Sequence, residues 1–341
     1  MDGGAVDNLR TEIKKSGTST DEKGLCSENV GFLLRNYRDN GNPARDTHKL
    51  KFINIGKNTV YNPTAPFMID NTSYMAARIE PLDDETNSKV MFFTEKGTNQ
   101  WAPSPRAPVF NLQDPFVTRV EGKLVFGGVK FPAGKDSEGK PTWKTILYQG
   151  PNIRHLTEFA QGPSGMKNIR IVELHDKRIG VFTRPQGAIG GKGKIGFMVV
   201  DNLNDLSQLR GENYLNASLI GGIFTDEDWG GVNEIHLLGG SELGVLGHIA
   251  CFDHDGNKHY YPIAFRFDYI SKKVSELQII ATRREFSSGN VKRPELEDVL
   301  FSGGLVRNPN GTAKLYVGVS DAEVHSSTIQ ASFVLNQVST P

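Results

Sequence analysis

Basic side chains recur in the middle of this sequence at positions that suit the binding of an anion. Lys167, Arg184 and His248 occupy one phase of an internal repeat, and Asp114, in an Asp-Pro pair, occupies the same phase earlier in the chain. Lys and Arg donors in a partly desolvated channel suit a phosphate or a phosphorylated sugar. We therefore predict an anion site that faces a single carboxylate. Arg170 is the weakest member of the group, because strand alternation from Lys167 places it on the other face.

Each of these residues also has a simpler explanation. An Asp-Pro pair is commonly a turn starter, and a single basic residue is commonly a solvated surface charge. The repeat weakens the first explanation, because Asp114 shares its position with polar clusters elsewhere in the chain. Those clusters contain Asn62, Lys167, Asn168 and Glu234.

The elements that must position these residues are short strands. From Leu50 onward, apolar runs of five to eight residues alternate with clusters of Gly, Pro, Asn and Asp, which is typical of an all-β chain. Five times, a polar cluster opens one strand and a second strand follows. The pairs are Asn62 with Arg78, Asp114 with Gly127, Lys167 with Arg184, Glu234 with His248, and Ser302 with Asp321.

Successive pairs start 52, 53, 67 and 68 residues apart, which is the spacing of propeller blades loosened by insertions. A β-propeller turns the inner ends of its strands toward a common axial site. A β-sandwich has similar strands, but it does not explain why polar residues recur at one phase of the repeat. We predict an all-β, five-bladed β-propeller.

Composition and charge exclude several classes of protein. The 341 residues include 39 basic and 39 acidic side chains, so the formal net charge is zero, and only 2 are Cys. A balanced chain lacks the field that attracts nucleic acid or an anionic membrane, and two cysteines cannot build a disulfide framework or a Cys-rich zinc site. Without a signal sequence or a run of about 18 apolar residues, we expect a cytoplasmic protein. We also expect a flexible extension at 1–30, one propeller domain at 31–341, and no resident metal or cofactor; a homo-oligomer is compatible with the sequence.

Four common catalytic or binding motifs fail on context or are missing. The glycine-rich segment at 191–196 matches the dinucleotide-binding fingerprint, but it precedes a predicted strand and opens no helix, so a hairpin loop is the better interpretation. His254 and His259 flank a turn and lack the spacing of a metal-binding motif. A Walker loop and a nucleophile elbow are both missing, which removes the commonest nucleotide hydrolases and serine esterases.

Seven short segments, taken in order, make the sequence resemble the inverting β-mannoside phosphorylases of glycoside hydrolase family 130. The resemblance is closer to the mannosyltransferase-phosphorylases of kinetoplastid protozoa, which turn over the β-1,2-mannan reserve called mannogen. It extends from about Val60 to Ser326, and it implies a five-bladed propeller. The segments are YNPTAPF at 61–67, ARIE at 77–80, QDPF at 113–116, KN at 167–168, FTRP at 182–185, GH at 247–248 and YVGVSD at 316–321.

The resemblance implies that Asp114 is the proton donor, which acts through a sugar hydroxyl while phosphate attacks the anomeric carbon from the opposite face. Lys167, Arg184 and His248 match the positions that bind phosphate. An anionic nucleophile in a cationic cradle replaces the second carboxylate that activates water in an inverting glycosidase. The implied substrates are mannose and β-1,2-mannooligosaccharides, with inorganic phosphate, mannose 1-phosphate or GDP-mannose. The residues that match the sugar subsite are Asn62, Arg78, Asn168 and Asp321, to which we add Glu234.

One departure from the bacterial pattern leaves alternatives open. Bacterial phosphorylases usually carry a lysine within the segment that is Gly-Gly-Val-Asn-Glu here, at 230–234. Loss of that cation weakens binding of inorganic phosphate and suits a donor such as GDP-mannose. If Glu234 faces the anion site, it is also a candidate base for a β-mannoside hydrolase. A propeller that binds a partner without catalysis is the third hypothesis.

Overall fold

The strands of this protein form five sheets, or blades, in the computed structural model, which describes residues 24–25, 27–39, 42–82, 84–330 and 333. The first strand, β1 (Arg45–Lys49), belongs to blade 5. Blade 1 contains β2 (Lys51–Phe52), β3 (Asn58–Pro63), β4 (Phe67–Ile69), β5 (Thr72–Pro81), β6 (Lys89–Gly97) and β7 (Gln100–Pro103). Blade 2 contains β8 (Gln113–Val120), β9 (Lys123–Lys130), β10 (Lys144–Gly150) and β11 (Thr157–Gln161).

The remaining blades follow along the chain. Blade 3 contains β12 (Arg170–Glu173), β13 (Ile179–Thr183), β14 (Gly196–Val200) and β15 (Ser218–Leu219). Blade 4 contains β16 (Trp229–Leu237), β17 (Glu242–Phe252), β18 (Lys258–Asp268) and β19 (Gln278–Ile279). Blade 5 contains β20 (Leu300–Arg307), β21 (Ala313–Val319), β22 (Glu323–Ile329) and, at its edge, β1.

The blades close into a ring around an axis. The inner strands β3, β8, β12, β16 and β20 each contact the next one, and β20 returns to contact β3. Glycine permits a close approach of β20 to β3, because a Cβ on Gly303 of β20 would lie 2.0 Å from the Pro63 carbonyl oxygen. The ring is also closed at its rim, where β1 pairs antiparallel with β22. The predicted five-bladed propeller is confirmed.

The hydrophobic core lies between the blades. Buried apolar side chains of the described residues fall into five clusters, and each cluster joins two neighbouring blades. Phe182 of blade 3 and Phe267 of blade 4, for example, pack edge to face with ring centroids 5.8 Å apart. Strands that are covered by neighbours on both faces are apolar on both faces, which explains the continuous apolar runs in the sequence.

Helices are short and lie outside the ring of inner strands. They are α1 (Glu28–Asp39), α2 (Gly187–Gly190), α3 (Leu203–Gln208) and α4 (Gly211–Leu215), with 3₁₀ turns at Glu85–Asn87, Ile153–His155, Arg283–Glu285 and Pro294–Leu296. None of the helices within the described ranges is long and apolar enough to cross a membrane.

Helix α1 packs on blade 4 through Val30, Leu33 and Leu34, which lie on one face at helical spacing. The Ser27 hydroxyl accepts a hydrogen bond from the Val30 amide at 3.2 Å and so caps the first turn. The predicted boundary at residue 30 therefore falls inside this helix. Most of the predicted flexible extension, 1–23, lies outside the described residues.

Candidate active site

Irregular pairing interrupts the inner strands at one level of the ring. A β-bulge adds a residue to one strand and changes the direction of its side chain. The residues at these interruptions include Asn62, Asp114 and Asn233, which all belong to the site described below. The breaks fall between Tyr61 and Pro63, Gln113 and Phe116, Val232 and Glu234, and Ser302 and Gly304.

Four of the predicted site residues share an uncommon backbone conformation. The φ angles are +46° at Asn62, +47° at Asp114, +61° at Asn168 and +50° at Asp321. Asn and Asp tolerate the left-handed region better than other non-glycine residues. Asn62 and Asp114 also precede prolines, which favour an extended conformation at the preceding residue. The surrounding structure therefore holds these residues in place against their local preference.

Asp114 lies beside cations and an amide donor. Its Oδ1 accepts a hydrogen bond from Asn62 Nδ2 at 2.9 Å and lies 3.6 Å from Arg78 Nη1. Burial opposes ionisation of this carboxyl group, but Arg78, Lys167 and the Asn62 hydrogen bond outweigh burial and hold its pKa below the ordinary value. Asp114 is therefore ionised in the unliganded protein at neutral pH.

Arg78 is itself held by a buried carboxylate, Glu80. Glu80 is 1% exposed, and its carboxylate accepts hydrogen bonds from Arg78 Nε at 2.9 Å, from the Tyr61 hydroxyl at 2.5 Å and from Lys292 Nζ at 2.5 Å. The Ser88 hydroxyl donates to the same carboxylate. Burial opposes ionisation of Glu80, but Arg78 and these donors lower its pKa. Glu80 thus fixes the arginine that faces Asp114.

The three residues predicted to bind phosphate come together on the neighbouring side of the axis. Arg184 and His248 are 2% and 3% exposed, and Lys167 lies over the Trp143 ring, with its Nζ 5.7 Å from the ring centroid. Burial and the Arg184 charge lower the pKa of Lys167 to about 8. Burial, Arg184 and Lys167 also hold the pKa of His248 well below the ordinary value, so its ring is neutral.

Three buried N–H groups in this cluster have no hydrogen-bond partner among the described residues. They are Arg184 Nη1, Asn168 Nδ2 and Asn233 Nδ2. The side chains lie close together. A Cβ on Gly231 would lie 3.0 Å from Arg184 Cδ and 3.3 Å from Asn168 Cβ, and Asn233 Oδ1 lies 2.7 Å from His248 Nδ1. A buried donor without an acceptor is costly and calls for an explanation. Several such donors beside Lys167 form a site suited to an oxyanion.

Asp321 belongs to the same site. Burial and the Asp114 charge raise its pKa, whereas Arg78 opposes the shift. The two carboxyl groups therefore differ: Asp114 is ionised, and Asp321 is shifted toward the neutral form. Opposed pKa shifts in neighbouring carboxyl groups are typical of sites that transfer protons.

Glu234 lies apart from this group. Its Oε2 accepts a hydrogen bond from the Leu305 amide at 2.6 Å and lies 3.0 Å from His236 Nε2. Both Glu234 and His236 line a cavity of about 200 Å³, together with Arg170 and Asn233. The register of β16 pairs Gly231 with His248 and Glu234 with Leu246, and Asn233, at the bulge between them, meets His248.

Arg170 lines the cavity that contains Glu234, and its charge also acts on Asp114. It is 1% exposed, its Nε donates to the Asn233 carbonyl at 3.0 Å, and its guanidinium lies 4.5 Å from the centroid of the Phe116 ring. Strand alternation placed it on the face opposite Lys167, and its contacts with backbone carbonyls agree with a role in closing the site. Its charge still favours the ionised form of Asp114.

Sequence reasoning missed Glu80, Lys292 and Asn233. Glu80 follows Arg78 by two residues on one strand, a spacing that puts both on one face and was available from the sequence. Lys292 lies in the long connection between blades 4 and 5, and no local pattern connects it with Glu80. Among the described residues, no group of three or more His, Cys, Asp or Glu side chains is arranged to hold a metal ion.

A family model described as a protein of unknown function, DUF1861, matches residues 36–334. The chain belongs to this family. Comparison with curated proteins finds no match.

Two solved structures from Leishmania mexicana resemble this DUF1861 protein over most of both chains. MPT-4, a mannose phosphorylase solved in complex with a phosphate ion, is 28% identical with a TM-score of 0.80, over 89% of this chain and 93% of that chain. MPT-1, a GDP-Man-dependent mannosyltransferase, is 28% identical with a TM-score of 0.79, over 90% and 95%. The predicted resemblance to the kinetoplastid enzymes is confirmed.

A structure from the GH130 family of mannoside phosphorylases, which contains hydrolases of β-1,2-mannosidic linkages, is more distant. It is 12% identical with a TM-score of 0.53, over 81% of this chain and 88% of that chain. This likeness shows the common fold.

Proposed function

We propose that this protein transfers a mannosyl group between a mannoside and phosphate, or a phosphate-bearing donor. The observation that carries the proposal is the set of partnerless buried donors on Arg184, Asn168 and Asn233, beside Lys167. An oxyanion in this position satisfies all three donors and meets the Lys167 charge. The similarity to MPT-4, solved with phosphate, and to MPT-1, which depends on GDP-Man, supports the same class of reaction.

In this proposal, phosphate is the nucleophile and the protein supplies its binding site. Lys167 provides the ammonium charge, Arg184 provides a guanidinium edge, and His248 is held by Asn233 at 2.7 Å. The anion attacks the anomeric carbon, and the glycosidic oxygen leaves as a hydroxyl. Electrostatic stabilisation by donors fixed in advance is commonly the largest catalytic contribution in such sites.

Asp114 is the proposed proton donor, although its pKa is lowered in the unliganded protein. A bound phosphate dianion offsets the charges of Lys167 and Arg78, which are the cations that keep Asp114 ionised. Phosphate binding therefore raises the Asp114 pKa and promotes uptake of the proton that the leaving oxygen needs. In this scheme, phosphate binding and protonation of Asp114 are coupled.

We assign the sugar side of the site to Asn62, Arg78 and Asp321, and we place Asn168, whose Nδ2 lacks a partner, at the boundary between the sugar and the phosphate. Asn62 and Arg78 both contact Asp114, so a sugar that binds them lies next to the acid. The β-1,2 linkage, a role in mannogen turnover, and GDP-mannose or mannose 1-phosphate as the activated substrate are parts of this proposal. A cytoplasmic location remains a prediction from the sequence.

The hydrolase alternative has less support. Its base, Glu234, accepts a hydrogen bond from the Leu305 amide and lies in the cavity that Arg170 also lines. The hypothesis of a non-catalytic propeller that binds a partner does not explain the buried donors without acceptors, because each such donor destabilises the folded state.

The test is mannosyl transfer by the Asp114→Asn variant. The protein is incubated with mannose 1-phosphate or GDP-mannose and a mannose acceptor, and oligosaccharide and released phosphate or GDP are measured. We expect the variant to lose about 10²- to 10⁴-fold in rate, the usual contribution of general acid catalysis. Asp176→Asn, which changes an exposed carboxylate paired with Arg178, is the matched control. Near-normal transfer by Asp114→Asn would remove Asp114 from the acid role, and phosphate-independent release of mannose would favour the hydrolase.

A further inference from the structure

A row of aromatic and basic residues extends outward from the phosphate site on one face of blade 4. The pairing register places Gly231, His248 and Pro262 in the inner row and Trp229, Ala250 and Tyr260 in the next row. Within these rows, the Tyr260 ring stacks on the His248 ring, with centroids 5.6 Å apart and planes 15° apart. The small Ala250 leaves room for Trp229 Nε1 to reach the Tyr260 oxygen at 3.3 Å. This face leads from the buried imidazole toward the surface.

Lys258 stands one row farther out. It precedes Tyr260 by two residues on β18, where the pairing is regular, so both side chains lie on the same face. Its partner across the sheet is Phe252, and the Phe252 ring packs against Trp229 with centroids 4.8 Å apart. The packed rings of Phe252 and Trp229 thus lie beside the half-buried Lys258 at the outer end of the row.

The Tyr260 hydroxyl accepts one hydrogen bond and keeps its own proton available. An indole N–H is only a donor, so the Tyr260 oxygen accepts from Trp229. The hydroxyl proton then remains for another acceptor, and the hydrogen bonds within the described ranges offer none. The charges of Arg184, Asp321 and Asp114 all act on this hydroxyl, which places it at the edge of the active site.

Cations exceed anions around this row. Lys258 lies close enough to Lys167 to help lower the pKa of Lys167. The ion pairs in the described part of the chain include none for Lys167, Arg184 or Lys258. The nearest ionised carboxylate, Asp114, already faces Arg78 at 3.6 Å. A single phosphate held by the inner donors leaves the outer lysine one row away without a counter-charge.

We propose that Lys258 and the Tyr260 hydroxyl form a second subsite, which binds the second phosphoryl group of a diphosphate whose first phosphoryl group occupies the Lys167–Arg184–His248 site. The ligand class is a nucleoside diphosphate, either alone or as the leaving part of a nucleotide sugar. The inference rests on the proposed function, because it requires the inner site to hold phosphate. Lysine binds phosphate as a point charge, so it is suited to this outer position.

Calorimetric binding tests the inference without any need for turnover. Inorganic phosphate, inorganic diphosphate and GDP are titrated into the wild-type protein, Lys258→Gln and Lys194→Gln. Lys194 is the matched control, because its ammonium group is already paired with Asp226 at 3.1 Å. We expect Lys258→Gln to weaken GDP and diphosphate binding about tenfold, the usual effect of one charge-assisted hydrogen bond. The loss for inorganic phosphate should be much smaller, and Lys194→Gln should resemble wild type for all three anions.

Several results would overturn the inference. An equal loss for phosphate and GDP in Lys258→Gln would show that Lys258 acts on the inner site alone. Binding of inorganic diphosphate without binding of GDP would exclude a nucleotide. Phosphate binding with no preference for either diphosphate in the wild-type protein would overturn this proposal alone, whereas no anion binding at all would overturn the proposed phosphate site as well.

Discussion

Replacement of Glu80 by Gln tests the buried charge cluster that holds Arg78. Glu80, Arg78 and Lys292 have side chains at most 5% exposed, and the Glu80 carboxylate is the shared partner of both cations. Removal of one member of a buried, hydrogen-bonded ion pair costs about 3–5 kcal/mol, because the remaining charge stays buried without compensation. At the lower limit, a chain of this length should lose about 4 °C in Tm.

The pH dependence of this loss has a definite sign. The pKa of Glu80 is lowered in the folded protein, because Arg78 and the donors around it outweigh burial. Its contribution to stability is therefore complete above the ordinary carboxyl pKa and disappears as the pH falls through the folded value. The difference in Tm between wild type and Glu80→Gln should be full at neutral pH and should shrink in acid.

Differential scanning calorimetry at several pH values measures both effects. Glu138→Gln is the matched control, because Glu138 forms an ion pair with Lys140 at 2.7 Å in which both side chains are about 70% exposed. Exposed pairs contribute about 0–1 kcal/mol. If Glu80→Gln lowers Tm no more than Glu138→Gln does, or if the difference is independent of pH, the charge-balance argument is wrong.

Two further predictions concern the anion site and the ring. Because the pKa of Lys167 is lowered to about 8, phosphate affinity should fall as the pH rises through about 8, where the ammonium loses its charge. Titration calorimetry at several pH values should show this decline in the wild-type protein and not in Lys167→Gln. An unchanged decline in the variant would exclude Lys167 as its origin. Gly303→Ala places a methyl group 2.0 Å from the Pro63 carbonyl oxygen and should destabilise the ring by about 1–3 kcal/mol or more in thermal unfolding. Gly239→Ala is the control and should have little effect, because no atom lies within 4 Å of the added methyl group. Equal Tm values for the two variants would show that β20 and β3 separate easily.

The propeller was predictable because its strands are short and the same polar phase recurs in each blade. The sequence also placed Asn62, Asp114 and Lys167 at one phase of the repeat, and in the structure they lie near the end of β3, near the start of β8 and just before β12. The left-handed backbone at these Asn and Asp residues explains why those residue types occur there. Period and composition were sufficient for this level of detail.

Other parts of the site depend on local departures from regular structure. The bulge in β16 leaves Asn233 outside the regular pairing and changes the register from Glu234 onward, where Glu234 pairs with Leu246. A one-residue shift reverses the face of every later side chain, and the sequence does not mark where it occurs. Lys292 comes from the connection between blades 4 and 5, and its position depends on tertiary contacts with Tyr61 and Glu80.

The pairing of β1 with β22 has a consequence for synthesis on the ribosome. Arg45 and His48 meet Thr328 and Ser326, which are among the last described residues to be made. The earliest strand must therefore wait, with an unpaired edge, until almost the whole chain has emerged, and contacts between such distant segments are slow to form. An unpaired edge strand is a template for association with other chains. Until β22 pairs with β1, a newly synthesised chain can therefore associate with another chain through this unpaired edge. A chain truncated before β22 would keep the edge of β1 unpaired permanently.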